Sequence, residues 1–425
     1  MQTLFYNIKE IVGTHNPLQA LRGVALSHLP NITNGYLLCN NGLITEVGSC
    51  TSEAFASANA SATATNVTNI QKIDCTGQTL LPCWADSHTH LVYAGSREDE
   101  FVQKLQGDTY AQIAASGGGI LSTARQVQVA TEEVLLTQAY SRLQQVIAQG
   151  TGAIEIKSGY GLTIQDELKM LRVIAALKAI SPIPIVATCL AAHAIPLAYK
   201  HNSQGYVELL IKELLPQVAQ QKLAAFIDVF CDTGFYTVAQ LLQLIIAAKN
   251  YGIQAKIHTN QLSSIGGLQA AIAHGALSVD HLETMTEDDI VTIGKSNTIG
   301  TLLPTAAYFL RMQQAPAWDM LEANAALALA SDYNPGSSPS GNMNIVVSMA
   351  CITLKMLPAE AVNAATINGA FAMGLQHKVG SIAAGKLANF ILTKPIPNIN
   401  YLPYSFGSNH IHSVYINGQL FKKNS

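Results

Sequence analysis

Two histidines two residues apart, His88 and His90 in the stretch LPCWADSHTHLVYAGSREDEF (residues 81–101), are the first side chains whose type and spacing could do chemistry. In an extended strand, residues two apart point to one side, so both imidazoles can face one ion. Two ligands do not hold Zn²⁺ or Fe²⁺, and the remainder must come from elsewhere in the chain. Polar residues recur where apolar runs end, at places a structural core would not want them. Arg97 follows the first run, Lys157-Ser158-Gly159-Tyr160 the second and His193 the third. Asp232 follows the fourth, His258 and Gln261 the fifth, His281 and Glu283 the sixth, Tyr308 the seventh and Asp332-Tyr333-Asn334 the eighth.

His88, His90, His258 and Asp332 would make a set of three imidazoles and one carboxylate, suited to zinc or iron without a thiolate. An open coordination position would hold a water and bring its pKa toward neutrality. Asp332 could take the proton of that water, and His281 could hydrogen-bond an oxyanion or the water itself. Each residue also has a structural reading. A strand-end histidine can be a satisfied core residue, Asp332 before Tyr-Asn-Pro-Gly can be a turn or cap, and Arg97 beside Glu98-Asp99-Glu100 can be a solvated charge run. Their joint placement favours one site.

The elements that must position these residues alternate. Apolar runs at Leu80–Ala85, Gly152–Ile156, Ile183–Cys189, Ala225–Cys231, Gln254–His258, Leu277–His281, Thr298–Leu303 and Ala326–Ala330 read as strands. Helix-like segments lie between them, at Glu132–Gln149, Ile164–Ile180, Val207–Gln217, Val238–Asn250 and Ser264–His274. In the fourth, Val238, Leu241, Leu242, Ile245 and Ile246 recur at helical spacing and predict a packed face. Eight strands joined by helices predict a distorted (β/α)₈ TIM-like barrel, whose active sites form at the carboxyl ends of the strands. An open doubly wound sheet is the alternative, although no Gly-x-Gly-x-x-Gly turn follows the first strand.

Both ends of the chain are β-rich. Tyr36–Val47 reads as a hairpin around Asn40-Asn41-Gly42, and Val379–Leu392 and Ile411–Phe421 contain strand runs split by glycine turns, with Asn417-Gly418 a hairpin signal. Neither end is long enough to bury much alone. The reading is a small β-sandwich domain built from residues 1–80 and 377–425, flanking a barrel over 81–376. The Ala/Ser/Thr-rich stretch 51–69 reads as a loop or insertion at a tip, and Gly117-Gly118-Gly119 as a flexible loop rather than a phosphate cradle.

At 425 residues, with 12% charged and 49% hydrophobic residues and a net charge of −3, the chain fits an enzyme-like globule and not a nucleic-acid or membrane-surface binder. Apolar stretches such as Leu241–Ala248 are too short to span a bilayer. Lys9 and Glu10 sit where a secretion signal would need its apolar run, so a cytoplasmic setting is expected, with the seven cysteines reduced.

The segments DSHTHLVYAGSREDEF, LQGDTYAQIAASGGGILST, EIKSGYGL, ELKMLRVI, KIHTNQLSSIGG, VDHLE, SDYNPGSSP and LPYSFGSN together resemble the imidazolonepropionase family of the amidohydrolase superfamily, from about Leu81 to Ser425. His-Thr-His is shared widely in that superfamily, whereas AGSREDEF, KSGYGL and DYNPGSSP are marks of this family. The resemblance implies hydrolysis of 4-imidazolone-5-propanoate to N-formimino-L-glutamate in histidine breakdown, by a homodimer with one divalent or trivalent ion, zinc or iron, per subunit. It implies His88, His90, His258 and Asp332 as metal ligands, and Arg97, Tyr160, His193, Asn334, Gly336 and Ser337 as substrate contacts. The chemistry agrees: Arg97 offers a fork for a propionate carboxylate, and backbone groups near Gly336 and Ser337 could take an anionic end. Metal hydroxide would attack the ring carbonyl, with His281 steadying the oxyanion. Gln261 stands where the family has Glu or Gln. An amide cannot shuttle protons, so Gln261 is expected to orient water or substrate while Asp332 does the acid/base work. Cys83, Trp84 and Asn389 depart from the family pattern at packing positions. A purine or pyrimidine deaminase would share the metal set without needing Arg97 and Tyr160 arranged for a propionate. A non-catalytic scaffold member would be expected to have lost ligands.

Overall fold

The computed structural model describes residues 2–63, 70–108 and 118–424. Its sixteen described strands fall into two eight-stranded sheets. The first sheet is mixed and uses both ends of the chain. It runs β16 (Gln419–Lys423), β15 (Ile411–Ile416), β14 (Phe390–Thr393), β5 (Thr79–Pro82), β1 (Gln2–Val12), β2 (Asn31–Asn40), β3 (Leu43–Ser49), with β4 (Ile70–Asp74) also paired to β1. The termini meet in an aromatic triangle of Phe5, Phe390 and Tyr415, with ring centroids 4.8–5.0 Å apart. Edge-to-face and offset contacts of this kind add to the area they bury.

Turn chemistry sets the hairpins. Asn41 and Gly42 take φ of 49° and 85° between β2 and β3, and Asn417 and Gly418 take 51° and 71° between β15 and β16, the left-handed pair that a two-residue hairpin requires. Two sequence readings change here. Within 51–69, Glu53–Thr63 is a helix rather than a loop, because alanine favours helix and Phe55 and Ala58 pack against Tyr36 and Leu4; residues 64–69 lie outside the described residues. The strand expected inside Val379–Leu392 begins only at Phe390.

The second sheet holds the site. Its strands are β6 (Trp84–Asp86), β7 (Thr151–Lys157), β8 (Ile185–Ala192), β9 (Phe226–Cys231), β10 (Gln254–Thr259), β11 (Ser278–His281), β12 (Ile299–Leu302) and β13 (Ala326–Leu329), all parallel and paired in chain order. This is the nearly closed (β/α)₈ barrel that the alternation of runs implies. The seam between β13 and β6 is closed just beyond the strands. His90 N–H donates to Tyr333 O at 2.9 Å, Asp332 N–H donates to His88 O at 3.0 Å, and the Asp86 carboxylate accepts from Ser331 N and Oγ at 3.0 and 2.6 Å.

The crossover helices are capped where their sequences allow. Thr131 and Thr163 accept the third-residue amide of Glu132–Ala148 and Ile164–Ile180, while Thr237 with Gln240 and Thr286 with Asp289 form reciprocal capping boxes. Helix Val238–Lys249 buries Leu241, Leu244, Ile245 and Ala248, so its inward face is rotated from the one expected and Ile246 is exposed. The helix read as Val207–Gln217 runs from Ser203 to Gln220 and widens into a π-turn at Leu210–Leu214. Pro216 has no amide to donate back to Lys212, and the wider turn absorbs that missing bond. Among the described residues, no helix is long and apolar enough to cross a membrane.

Candidate active site

The carboxyl ends of the barrel strands surround one cavity of about 590 Å³. His90, Arg97, Tyr160, His193, His258, Gln261, His281, Asp332, Asn334, Gly336 and Ser337 all line it. His88 lies buried beneath, with ring centroids 4.4 Å from His258 and 5.4 Å from His90. Every residue singled out as ligand, acid, base or substrate contact is therefore at this mouth or directly under it. Tyr308 is not. It sits on the outer face of helix Pro304–Leu310 and is exposed, whereas Phe309, Leu310, Arg311 and Met312 reach the cavity.

The histidines are aimed by carboxylates. His88 Nδ1 donates to Asp280 Oδ2 at 2.7 Å and His258 Nδ1 donates to Asp228 Oδ2 at 2.7 Å. Each is left with a buried Nε2 that has no hydrogen-bond partner. Asp332 Oδ1 lies 3.5 Å from His88 Nε2 and 3.4 Å from His90 Nε2, while Oδ2 accepts from Ser337 Oγ at 2.9 Å. Ligand atoms of His88, His90 and Asp332 fall within 4.8 Å of one another, as do those of His88, His258 and His281, and of His90, His193 and His258. Burial first, then Lys157 and neighbouring imidazoles, holds His88 well below the ordinary histidine range; burial, His281 and Lys157 do the same for His258. Burial alone would raise the Asp332 carboxyl, but the hydrogen bond and charge of His90, with His281 and His258, keep it down at about 2. Neutral imidazoles with orphaned, buried Nε2 atoms beside an ionised carboxylate fit a metal ion.

Backbone strain completes the cluster. Alternation along β11 would turn Asp280 and His281 to opposite faces. His281 has φ of 90° and Leu282 of 69°, which swings the His281 ring into the mouth while Asp280 stays under His88. Asp332 has φ of 51°. Such conformations cost about 1–3 kcal/mol each for residues other than glycine and cluster where function over-determines the backbone. His281 Nδ1 faces Glu283 Oε1 at 3.5 Å, an ion-pair distance, leaving Nε2 for the cavity. Burial lowers its pKa, but Glu283, with Asp332 and Asp280, outweighs it and holds the ring above the ordinary range.

Around the rim, Arg97 Nε donates to Thr123 Oγ1 at 2.9 Å, and its Nη1 lies where a Cβ on Gly336 would be. Tyr160 is buried, 5.7 Å from His90 by ring centroid, and burial keeps its phenol protonated. His193 stacks on His90 at 5.1 Å and 14°. The backbone N–H groups of Gly336 and Ser337 themselves donate to Asn334 Oδ1, at 2.8 and 2.9 Å. Asp232 shapes the loop that carries Gln261, its carboxylate accepting from Gln261 N, Leu262 N and Ser263 Oγ.

Sequence reasoning missed Phe101, Lys104, Phe230, Phe309 and Arg311 in the lining. It also missed a fully buried charged layer below, made of Glu155, Lys157, Asp228, Lys256 and Asp280, of which only Lys157 drew notice. The available signal was a charge inside an apolar strand, as in TGAIEIK, FIDVFC, QAKIHT and SVDH. Of the tripled glycine, Gly117 lies outside the described residues, as do residues 109–116. Gly119, at φ 75°, precedes helix Ile120–Val129.

The model of the amidohydrolase family matches residues 79–421. The chain is 47% identical over 421 residues to an imidazolonepropionase of Christiangramia forsetii, covering 99% of this chain and 100% of that one. It is 47% identical over 424 residues to an imidazolonepropionase of Flavobacterium johnsoniae, with the same coverage. The chain belongs to the imidazolonepropionase family of amidohydrolases. Among solved structures, an adenosine deaminase from Xanthomonas campestris with bound zinc superposes with a TM-score of 0.69 at 16% identity, covering 98% of this chain and 92% of that one. That likeness speaks for the barrel and its companion sheet alone.

Proposed function

We propose that the protein hydrolyses the ring carbon–nitrogen bond of 4-imidazolone-5-propanoate, giving N-formimino-L-glutamate in histidine degradation, at an ion held by His88, His90, His258 and Asp332. The observation that carries this is the pair of orphaned Nε2 atoms on His88 and His258, locked by Asp280 and Asp228, under the same cavity that presents Arg97. Three imidazoles and a carboxylate suit zinc or iron. Such an ion supplies Lewis acidity and an activated water near neutral pH.

This chain's residues account for the rest. The guanidinium of Arg97, its Nε fixed by Thr123, keeps Nη groups for the propionate carboxylate, and Gly336 permits its close approach. Tyr160 stays protonated and can donate a hydrogen bond to substrate. Asp332 takes a proton from the attacking water and delivers one to the ring nitrogen as the carbon–nitrogen bond breaks, and the water oxygen leaves as part of the new carboxylate. His281 donates from Nε2 to the oxygen that gains charge at the former carbonyl. Gln261 orients water or substrate through its amide and moves no proton. Stacked Phe101 and Phe309, 5.4 Å apart, and Phe230 give the cavity an apolar wall. The family resemblance also supports a homodimer.

The test is a progress curve with fresh 4-imidazolone-5-propanoate. Stoichiometric N-formimino-L-glutamate is expected. Ammonia release from purines or pyrimidines with no consumption of the imidazolone would establish the deaminase reading instead.

A further inference from the structure

The buried charged layer lies directly below the site, and its wiring is specific. Glu155 and Lys157 share one side of β7, and Lys256 shares a side of β10 with His258, so all project into the barrel. Lys157 Nζ lies 2.7 Å from Glu155 Oε1, 2.8 Å from Asp228 Oδ2 and 3.4 Å from Asp280 Oδ2. The last two oxygens are the same atoms that accept Nδ1–H of His258 and of His88. The remaining carboxylate oxygens are also occupied, Asp228 Oδ1 by the His258 amide at 2.9 Å and Asp280 Oδ1 by Ser278 Oγ at 2.6 Å.

Two buried carboxylates from β9 and β11 therefore flank β10 and converge on one ammonium. Without that cation they would repel each other and turn away from the imidazoles. An ammonium suits the task, a compact charge that donates to Glu155 and Asp228 and sits at ion-pair distance from Asp280. Lys256 differs. It bonds Glu155, Ser87 O at 3.0 Å and Ala372 O at 3.0 Å; it bonds neither Asp228 nor Asp280, although its charge also steadies the Asp280 carboxylate.

We propose that Lys157 is a positioning residue for the metal centre: its single ammonium ties Asp228 to Asp280 and so fixes the aim of His258 and His88 as one coupled pair. This rests on the reading of those histidines as ligands. Because the coupling acts on ligand geometry, it is read in metal affinity and in the environment of the ion, not only in turnover.

The experiment measures Zn²⁺ dissociation constants by chelator competition, and Co²⁺ visible spectra, for wild type, Lys157→Met and Lys256→Met, each checked for native circular dichroism. Lys157→Met is expected to bind Zn²⁺ about 10-fold or more weakly and to change the Co²⁺ spectrum, with Lys256→Met staying within about 3-fold of wild type, the range typical of lost ligand-orienting partners being about 10- to 100-fold. Equal affinity and spectrum in folded Lys157→Met would overturn the proposal. Where Lys157→Met does not fold, Asp228→Asn, Asp280→Asn and the double variant decide. A coupled pair predicts that the double loses little more affinity than either single, whereas losses that multiply independently would refute coupling. A wild type that binds no Zn²⁺ or Co²⁺ would overturn the ligand reading itself, an outcome distinct from a wild type and Lys157→Met that bind alike.

Discussion

His258 has both of its ring nitrogens assigned: Nδ1 is bonded to Asp228 and Nε2 is buried without a partner. Truncating it removes a proposed ligand while leaving β10 paired on both sides, since the strand's backbone bonds to β9 and β11 do not involve the ring. His258→Ala is expected to abolish hydrolysis with circular dichroism unchanged and bound metal sharply reduced; full turnover in a metal-free sample would refute the mechanism. Arg97 touches the cavity but no proposed ligand. Loss of one charge-assisted carboxylate contact, about 1.5–3 kcal/mol, predicts that Arg97→Ala raises KM about 10- to 100-fold with a smaller change in kcat. Steady-state kinetics check this, and an unchanged KM would remove Arg97 from the carboxylate site. At this scale the clustering of His88, His90, His258 and Asp332 was legible in the sequence because histidine and aspartate at strand ends are chemically conspicuous. Phe101, Lys104 and Arg311 were not, since a helix face or a loop reveals its direction only after folding.

The strands and helices were legible because apolar runs and helical periodicity alternate so regularly. What escaped was set by tertiary context: the helix Glu53–Thr63 is held by Tyr36 and Leu4, and the inward face of Val238–Lys249 is chosen by its neighbours. The reversal at His281 and Leu282 was also hidden, because a positive φ at a histidine and a leucine has no local sequence signal. The caps, by contrast, are local devices. Thr237 closes a reciprocal capping box with Gln240 on the outside of the barrel, and Thr237→Ala should cost about 1 kcal/mol of stability. Urea unfolding measures that loss, and kcat/KM is expected to stay at the wild-type value.

Across the whole molecule, the proposed ligands come from the segment after β6, from β10 and from the turn after β13, so an ion there would tie both edges of the barrel seam to its middle. That the two chain ends share one sheet was legible as β-texture at both ends, but the pairing of β14 with β5 needed the structure. An ion that binds only the folded chain stabilises it by mass action, about 4 kcal/mol at 1,000 times its dissociation constant. Chelation is therefore expected to lower the thermal midpoint, and re-addition of Zn²⁺ or Fe²⁺ to restore it; a midpoint indifferent to chelation would separate the ion from the fold. Light scattering is expected to give about twice the chain mass of 45.3 kDa, in line with the proposed homodimer. The most direct measurement is a titration of metal-free protein with Zn²⁺ or Fe²⁺, following bound metal and hydrolysis of 4-imidazolone-5-propanoate in the same sample. Turnover should rise in proportion to bound metal and level off at one equivalent per chain; full activity before any metal is added, or a requirement for two equivalents, would contradict a single centre built from His88, His90, His258 and Asp332.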